Sequence, residues 1–425
     1  MRIAFFVSRF PKLSEQFILN QVTGLLDRGH DVEILATLPG DSSDLHPEFA
    51  HYGLGDRTHY QFESPNQRLR HRMRRVFHGL RLLSTCTAPQ RRALLPAINV
   101  LEHGRAALSF SLLFSAAQLM SRPRFDIAHC HFGQAGLAAV RLRQLGVLTG
   151  KLVTTFYGTD ISKFLRTEGA AAYRPLIQHG DLFVCITDDM RSRLVSAGFP
   201  PERIQKVAVG IDLSAFAMRV RRLEPGEPVR LLTVARLVEK KGLETSIMAV
   251  AAVLRSHPNL RYRIVGDGPL RASIERLIAE LGLGRHVELA GWMTQRQVRE
   301  EFDASHIFVL ASQTAEDGDE EGLPGVLKEA QAMGLPVVST RHAGIPEGVL
   351  DGRSGFLVPE RDAAALADRL RCLIDHPERW AEMGRAGRAF MEAHADIETL
   401  NDRLVQLYGG LLGEAAGVGN SAVHA

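Results

Sequence analysis

Cysteine is scarce in this chain: the 425 residues include four, and no two of them form a C-x-x-C pair. Disulfide frameworks and zinc ribbons both need closely spaced cysteines, so the sequence argues against them and fits a reducing compartment. Long apolar runs are also missing. The longest uncharged run, about 106–120, is too short and too rich in serine to cross a membrane. The first residues read as a strand, without the regions of a signal peptide. We therefore predict a soluble, cytoplasmic protein.

Neither sign of charge is in large excess. The net charge is +3, with 45% hydrophobic and 23% charged residues, which is ordinary for a globular protein. A nucleic-acid binder usually carries a stronger positive field, so no nucleic-acid partner is expected. No dinucleotide fingerprint follows the first strand, and Gly266-Asp-Gly268 lacks the third glycine of that motif. NAD is therefore not indicated.

Strands and helices alternate through most of the sequence. The apolar strands Ile3–Val7 and Val32–Ala36 flank the helical pattern Gln16–Arg28, which predicts a β-α-β unit with a parallel sheet. A turn-rich segment at about 210–229 precedes a second run of this kind, which begins with Arg230–Val234. The length is consistent with two or three domains. The further strand predictions in the first half are Ile127–Cys130, Leu152–Phe156 and Leu182–Ile186.

The most informative stretch runs from Glu321 to Glu329. Pro324 predicts a helix start, and the spacing of apolar residues predicts a helix over Gly325–Met333. The first N–H groups of such a helix bind anions, and Glu329 lies about one turn, roughly 6 Å, below them. Glu321 would lie above the helix start, free to bind hydroxyls. An anion between two hydroxyl-binding carboxylates matches the diphosphate, ribose and hexose of a nucleotide sugar.

This stretch resembles the E-x7-E motif of the retaining GT-B glycosyltransferases of family 4, closest in pattern to the exopolysaccharide and colanic-acid type. The resemblance implies two Rossmann-like domains facing each other across a cleft. It also implies that the first Glu contacts the donor sugar and the second contacts the ribose. The chain continues to match the family pattern as far as Asp362, through three segments: Pro336–Thr340, Ala343–Glu347 and Gly352–Pro359.

The resemblance assigns a donor site in the second half of the chain. Arg236 and Lys241 lie in a segment similar to the family loop that clamps the donor diphosphate, a task suited to a guanidinium beside an ammonium group. With Glu321, they form the expected catalytic set. The segment Gly291–Met293 matches the one that packs against the base. The expected donor-binding residues are Arg236, Lys241, Gly291, Trp292, Met293, Leu323, Pro324, Gly325, Val326 and Glu329.

The acceptor side is assigned from short motifs in the first half. The segment around Ser14 and Glu15 resembles the opening of exopolysaccharide-type members, where it faces the acceptor; Ser14 could equally cap the following helix. His131 ends a motif that lies beside the cleft in the same group. Tyr157 stands where much of the family has a histidine that contacts the donor sugar. Asp160, in the same loop, is a further cleft candidate.

Two patterns suggest a metal site, and both are weak. His129 and His131 share one face of a strand, but no nearby Cys or Asp completes a ligand set. Asp317 and Asp319 form a D-x-D pair, which belongs to the other glycosyltransferase fold, and a flexible solvated loop is the favoured interpretation. We expect no metal and no cofactor, since the nucleotide sugar is a substrate.

A basic amphipathic segment, 68–83, has an apolar stripe surrounded by arginines. Such a helix can lie on an anionic membrane surface. A packed helix with a solvated basic face is the commoner case and is the favoured one.

Together these features predict an acceptor domain at 1–210, a nucleotide-sugar domain at 211–395, a helix at about 396–413 that returns to the first domain, and a disordered tail at 414–425. The resemblance implies a retaining, metal-independent hexosyltransferase. It would move a hexose from a UDP- or GDP-sugar to a glycan or lipid-linked glycan in cell-surface polysaccharide synthesis, with peripheral contact with the inner membrane. The alternatives are a GT-B-fold epimerase or phosphorylase, and a non-catalytic sugar-nucleotide binder.

Overall fold

The computed structural model describes residues 1–12, 15–40, 47–61 and 69–413. Two of the sequence-based predictions lie outside this part of the chain: the role of Ser14 and the tail 414–425. The described residues form two separate parallel sheets with helices around them. This confirms the predicted α/β class.

The first sheet has seven strands in the order β3-β2-β1-β4-β5-β6-β7. Its strands are buried apolar runs, as expected where helices cover both faces of a parallel sheet. Ile3 and Phe5 of β1, for example, have no exposed surface. The strands are β1 Arg2–Phe10, β2 Asp31–Pro39, β3 Thr58–Tyr60, β4 Ile127–His131, β5 Lys151–Phe156, β6 Leu182–Cys185 and β7 Ile204–Lys206.

The second sheet has six strands in the order β10-β9-β8-β11-β12-β13. Both sheets reverse their strand order next to their first strand, between β1 and β4 and between β8 and β11. Ligands of open α/β sheets bind outside the strand carboxyl ends at such points. The strands are β8 Val229–Val234, β9 Leu260–Val265, β10 Val287–Gly291, β11 Ile307–Leu310, β12 Val337–Thr340 and β13 Gly355–Val358.

Helices connect most of the strands. Those before β8 are Gln16–Asp27, Pro47–His51, Leu54–Arg57, Leu69–Thr85, Ala88–Leu94, Val100–His103, Arg105–Leu108, Ser111–Met120, Gly133–Gln144, Lys163–Glu168, Arg174–His179 and Asp188–Ser196. Those after β8 are Leu243–Leu254, Arg271–Glu280, Gln295–Ala304, Gly325–Ala332, Ala363–Asp375, Arg379–His394 and Ile397–Leu412. Within the described ranges, no helix combines the length and the apolar character needed to cross a membrane.

The last helix, Ile397–Leu412, returns to the first sheet. Its residues Leu404 and Tyr408 belong to the same buried cluster as Val22 of the helix after β1. The guanidinium group of Arg28 also donates to the Asp402 carboxylate at 2.7 Å. The chain therefore crosses between the two sheets twice, once after β7 and once before this helix. The predicted domain division at 210 and 211 falls between β7 and β8, and it stays a prediction.

The helical segment between β3 and β4 does not bury all of its apolar residues. In the helix Leu69–Thr85, Leu83 is buried, but Val76, Phe77 and Leu80 are 40%, 65% and 56% exposed. Four more large apolar side chains of the segment are exposed: Leu95, Val100, Leu101 and Leu108. The favoured prediction of a packed helix is therefore wrong for three residues of the predicted stripe.

Candidate active site

Two loops, one from each sheet, meet at the strand carboxyl ends. The loop after β5 contains Gly158, and the loop after β11 contains Gly322. A Cβ atom on Gly158 would lie 3.3 Å from the Gly322 nitrogen, and one on Gly322 would lie 2.4 Å from the Tyr157 carbonyl oxygen. A side chain at Gly322 would collide with the opposite backbone. The backbones of the two loops are therefore in direct contact next to the candidate site.

The acidic loop after β11 binds the first half of the chain. The Asp317 carboxylate pairs with the Lys163 ammonium group, and the Asp319 carboxylate accepts from the Thr159 hydroxyl at 3.0 Å. Asp319 also lies 3.1 Å from the Lys240 ammonium group. Asp317 is exposed, as expected of a solvated loop, but cationic and hydroxyl groups bind both carboxylates, so the loop is not without partners.

Glu347 makes a second connection between the two halves. Its carboxylate accepts from the backbone N–H groups of Asp188 and Asp189 at 2.8 and 3.0 Å, at the start of the helix Asp188–Ser196. The Lys206 ammonium group lies 2.8 Å from the same carboxylate. Glu347 thus accepts hydrogen bonds from the first turn of a helix in the other half of the chain. The helix dipole stabilises a negative charge at this end.

The Glu321 carboxylate is bound by two lysines. It lies 2.9 Å from the Lys241 ammonium group and 3.5 Å from that of Lys240. Burial disfavours the charged form, but the two ammonium groups outweigh it and lower the pKa of Glu321 to about 2. Both contacts are to the Oε1 atom, so the carboxylate is paired rather than free, and its binding of sugar hydroxyls stays a prediction. Lys240 was missed by the sequence analysis; the Lys-Lys pair before Gly242 was the available signal.

Glu329 lies one turn into the helix Gly325–Ala332. Pro324 precedes this helix as predicted, and Met333 caps its end. A Cβ atom on Gly325 would lie 3.8 Å from the Glu329 Oε1 atom, so the carboxylate reaches back towards the helix start. Burial raises the pKa of Glu329 to about 7, although the positive charges of Lys328 and Arg299 act to lower it.

The remaining donor-side candidates all lie in the second half of the chain. Arg236 is exposed just after β8, and Lys241 is buried in the short turn Glu239–Lys241. Trp292 follows β10 and is 53% exposed. Leu323 packs against the turn at Gly348. The others are Gly291, which ends β10 with a φ of 77°, and Met293 and Val326, which are partly buried against an apolar cluster.

On the acceptor side, Tyr157 binds another predicted residue. The Tyr157 hydroxyl lies 2.7 Å from the His131 Nδ1 atom, and both side chains are buried. The Phe17 ring packs against Tyr157 at a tilt of 39°, with 4.5 Å between the ring centroids. Burial raises the pKa of Tyr157 well above its ordinary value and lowers that of His131 well below its own. Two atoms here are buried without a partner among the described residues, His131 Nε2 and Glu15 Oε2.

Asp160 is buried beneath this site. Its carboxylate accepts from the backbone N–H groups of Gly133 at 3.1 Å, Tyr157 at 3.1 Å and Gly158 at 2.9 Å. Its side chain has no exposed surface. Asp160 therefore shapes the loop that carries Tyr157. This corrects the expectation that Asp160 is a cleft residue, because its side chain is fully buried.

The two histidines of β4 are not arranged as metal ligands. The His129 ring already uses both nitrogens, with Thr155 Oγ1 at 2.6 Å and the Tyr408 hydroxyl at 2.6 Å. It stacks on His131 at 4.4 Å between centroids. Across the described parts of the chain, no three His, Cys, Asp or Glu side chains are grouped to hold a metal ion.

Comparison with known proteins places this geometry in a family. Residues 14–215 match the profile described as Glycosyltransferase Family 4, and residues 216–390 match the profile described as Glycosyl transferases group 1. The chain is 40% identical to the putative colanic acid biosynthesis glycosyltransferase WcaL of Salmonella typhimurium, over 96% of this chain and 99% of that protein. It is 38% identical to the amylovoran biosynthesis glycosyltransferase AmsK of Erwinia amylovora, over 86% and 89% of the two chains.

Solved structures agree on the fold. Anabaena HepE in complex with UDP and glucose superposes with a TM-score of 0.72 and 16% identity, covering 96% of this chain and 98% of that one. The sucrose-phosphate synthase of Thermosynechococcus elongatus gives a TM-score of 0.73 and 18% identity, covering 98% and 100%. With two parallel α/β sheets and these relatives, the chain belongs to glycosyltransferase family 4 and is a hexosyltransferase with the GT-B fold.

Proposed function

We propose that this enzyme transfers a hexose from a UDP- or GDP-sugar to a glycan or lipid-linked glycan, with retention of anomeric configuration and without a metal ion. Two observations carry the proposal: the buried ammonium group of Lys241 binds the Glu321 carboxylate four residues before the helix at Gly325, and the Glu329 carboxylate reaches back towards the start of the same helix. The relatives named for colanic acid and amylovoran biosynthesis support a role in exopolysaccharide synthesis.

The donor is held by complementary charges. The diphosphate binds at the start of the helix Gly325–Ala332, where the unpaired N–H groups and the helix dipole favour an anion. Arg236, Lys240 and Lys241 add positive charge, which compensates the diphosphate as its bond to the sugar breaks. Glu329 accepts hydrogen bonds from the ribose, and Glu321 accepts them from the hexose.

The acceptor is held by the first half of the chain. The buried atoms His131 Nε2 and Glu15 Oε2 have no partner within the described residues. A buried polar atom without a partner is unfavourable, and an acceptor hydroxyl can supply the missing hydrogen bond. Tyr157 holds His131 in place through the bond to Nδ1, so its hydroxyl acts on the acceptor side rather than on the donor sugar.

The reaction follows a same-face course. The bond between the sugar anomeric carbon and the diphosphate oxygen breaks, and a bond to the acceptor oxygen forms on the same face. The leaving phosphate oxygen takes the acceptor proton, so no protein carboxylate is needed as a covalent nucleophile. Lys241 and the helix start carry the charge that develops on the diphosphate.

Binding measurements test the donor assignment. Calorimetry against a panel of UDP- and GDP-sugars in EDTA should reveal one nucleotide series, with affinity lost in Glu329→Ala and Arg236→Ala. Glu280→Ala, an exposed residue on another helix, is the matched control. No binding in EDTA, restored by a divalent cation, would overturn the metal-free proposal. No binding of any nucleotide sugar would overturn the donor assignment.

Product analysis separates transfer from the alternatives. Retention is expected as the same anomeric configuration in donor and product by NMR. Donor consumption that depends on inorganic phosphate rather than on a glycan would indicate a phosphorylase, and inversion at another sugar carbon would indicate an epimerase. Binding without turnover with any acceptor would indicate a non-catalytic binder.

We further propose that the exposed apolar residues of the helical segment contact an anionic membrane at its cytoplasmic face. Val76, Phe77 and Leu80 are exposed on one helix, and Arg81 is exposed beside them. Such a surface combines apolar insertion with attraction to acidic lipids. A lipid-linked acceptor would then be presented at the same interface.

Vesicle co-sedimentation tests this contact. Binding to phosphatidylglycerol vesicles should exceed binding to phosphatidylcholine vesicles, and the double variant Phe77→Ser, Leu80→Ser should lose it. Met248→Ser removes an equally exposed apolar side chain from the other half and should keep it. Equal binding by both variants, or none by the wild type, would contradict the membrane contact.

A further inference from the structure

The long loop that carries Glu321 is held by a histidine outside the assigned site. The backbone N–H of Glu321 donates to His342 Nε2 at 3.1 Å, and His342 is 1% exposed. Its Nδ1 atom lies 2.6 Å from Glu360 Oε1. Neither residue has a role in the donor or acceptor assignments above. Glu360, just after β13, and His342 thus form a series of hydrogen bonds that ends at the backbone of Glu321.

The hydrogen bonds fix the state of the imidazole. A backbone N–H can only donate, so His342 Nε2 must be the unprotonated, accepting nitrogen. The ring proton therefore lies on Nδ1, where the Glu360 carboxylate accepts it. Glu360 is held in turn, because its Oε2 atom accepts from the backbone N–H of Thr314 at 2.8 Å. Thr314 belongs to the same loop as Glu321, so the arrangement fastens that loop at two points.

The loop needs such fastening. Between β11 and the helix at Gly325, the chain has no regular secondary structure. Near Glu321, one other backbone hydrogen bond joins the same two segments, from Gly344 N–H to the Gly322 carbonyl at 3.1 Å. Lys240 and Lys241 hold the Glu321 carboxylate itself, whereas these bonds hold the backbone from which its side chain extends.

We propose that His342, oriented by Glu360, is a positioning residue that sets Glu321 for contact with the donor sugar. This inference rests on the proposed function only in the role it gives to Glu321. His342 touches neither donor nor acceptor in this assignment. It acts on sugar transfer through the Glu321 backbone, and it leaves binding of the nucleotide part to Lys241 and Glu329.

Two isosteric variants separate positioning from packing. In His342→Gln, the amide oxygen can reach the place of Nε2 and accept from Glu321 N–H, whereas in His342→Asn the shorter side chain can bond only to Glu360. We expect kcat to fall about ten-fold or more in His342→Asn and to recover to within about three-fold of wild type in His342→Gln. The Kd for the nucleoside diphosphate alone should stay within about two-fold in both. In Glu360→Leu, the ring proton of His342 is no longer held on Nδ1. We expect kcat to fall as it does in His342→Asn.

Hydrogen exchange of the Glu321 amide tests the same point without donor or acceptor. Protection should drop in His342→Asn and be kept in His342→Gln, at unchanged melting temperature. Equal loss of activity or protection in both variants, or loss of nucleoside diphosphate affinity together with kcat, would overturn the inference. If the wild type binds no nucleotide sugar, the proposed function fails, while the exchange result still decides whether His342 holds the Glu321 backbone.

Discussion

The ammonium group of Lys241 lies 2.9 Å from the carboxylate of Glu321. The family resemblance gives these side chains different targets, the diphosphate and the sugar, yet they bind each other at the start of the donor site. A carboxylate beside the lysine competes with a diphosphate for the same positive charge. We therefore expect the pair to couple recognition of the diphosphate to recognition of the sugar, so that loss of the lysine and loss of the carboxylate affect nucleotide affinity differently.

The first prediction follows from this competition. Lys241→Met should weaken binding of the nucleoside diphosphate about ten-fold or more, since a buried positive charge is lost. Glu321→Gln should leave that affinity unchanged or tighter, while it lowers kcat for sugar transfer about a hundred-fold. Calorimetry and steady-state kinetics measure the two effects. An equal loss of diphosphate affinity in both variants would contradict the competition.

A second prediction concerns the pH dependence of stability. Burial raises the pKa of Glu329 from 4.5 to about 7. A raised folded-state pKa means that the folded protein holds this proton more tightly, so the contribution of Glu329 to stability is fully present below pH 4.5 and is lost as the pH rises to 7. Relative to Glu329→Gln, the wild type should lose up to about 3 kcal/mol across this window. Urea denaturation of both proteins at several pH values measures the difference, and parallel curves would contradict it.

Much of the fold could be predicted from the sequence because its signals are local. Apolar runs bounded by turns predicted β1, β2, β4, β5, β6 and β8, and Pro324 with the apolar spacing predicted the helix Gly325–Ala332 to within one residue. The family resemblance then supplied the pairing of two sheets. Contacts between residues distant in the chain leave no such local signal. Two examples are the ion pair between Lys240 and Glu321 and the hydrogen bond that the Glu321 N–H donates to His342. Both were found only in the structure.

The same limit explains the errors. Asp160 lies in a loop that resembles a cleft element, but its carboxylate is used by three backbone N–H groups, which sequence spacing alone does not reveal. The acidic loop around Asp317 is exposed as expected, but its contact with Lys163 could not be predicted, because Lys163 is far away in the chain. Residue type predicted the chemistry, but the fold decided which partner each group binds.

A third prediction concerns the contact between the two halves. Glu347→Ala removes two hydrogen bonds to the start of the helix Asp188–Ser196 and a pair with Lys206, a loss of about 1 kcal/mol for a helix cap. Because one contact between the two halves is then lost, we expect them to separate more often, and the radius of gyration from small-angle X-ray scattering should increase. Glu202→Ala, which removes an exposed carboxylate within the first half, should not change it. An unchanged radius in Glu347→Ala would contradict this prediction and show that the other contacts are enough to hold the two halves together.

The last prediction concerns the helix Ile397–Leu412, which reaches the acceptor side through a buried hydrogen bond. The Tyr408 hydroxyl lies 2.6 Å from His129 Nδ1, and neither side chain is exposed. Tyr408→Phe leaves the histidine nitrogen buried without this partner, so the free energy of unfolding should fall by about 1–3 kcal/mol. Tyr52→Phe is the matched control: its hydroxyl donates to Asp27 at the surface, where water can replace the bond, and the cost should stay below about 0.5 kcal/mol. Equal costs in the two variants would show that the Tyr408–His129 hydrogen bond does not help to hold the last helix, which would then depend on apolar packing and on the contact between Arg28 and Asp402. A cost confined to Tyr408→Phe would show that this buried hydrogen bond helps to hold the last helix against β4, the strand that also carries His131.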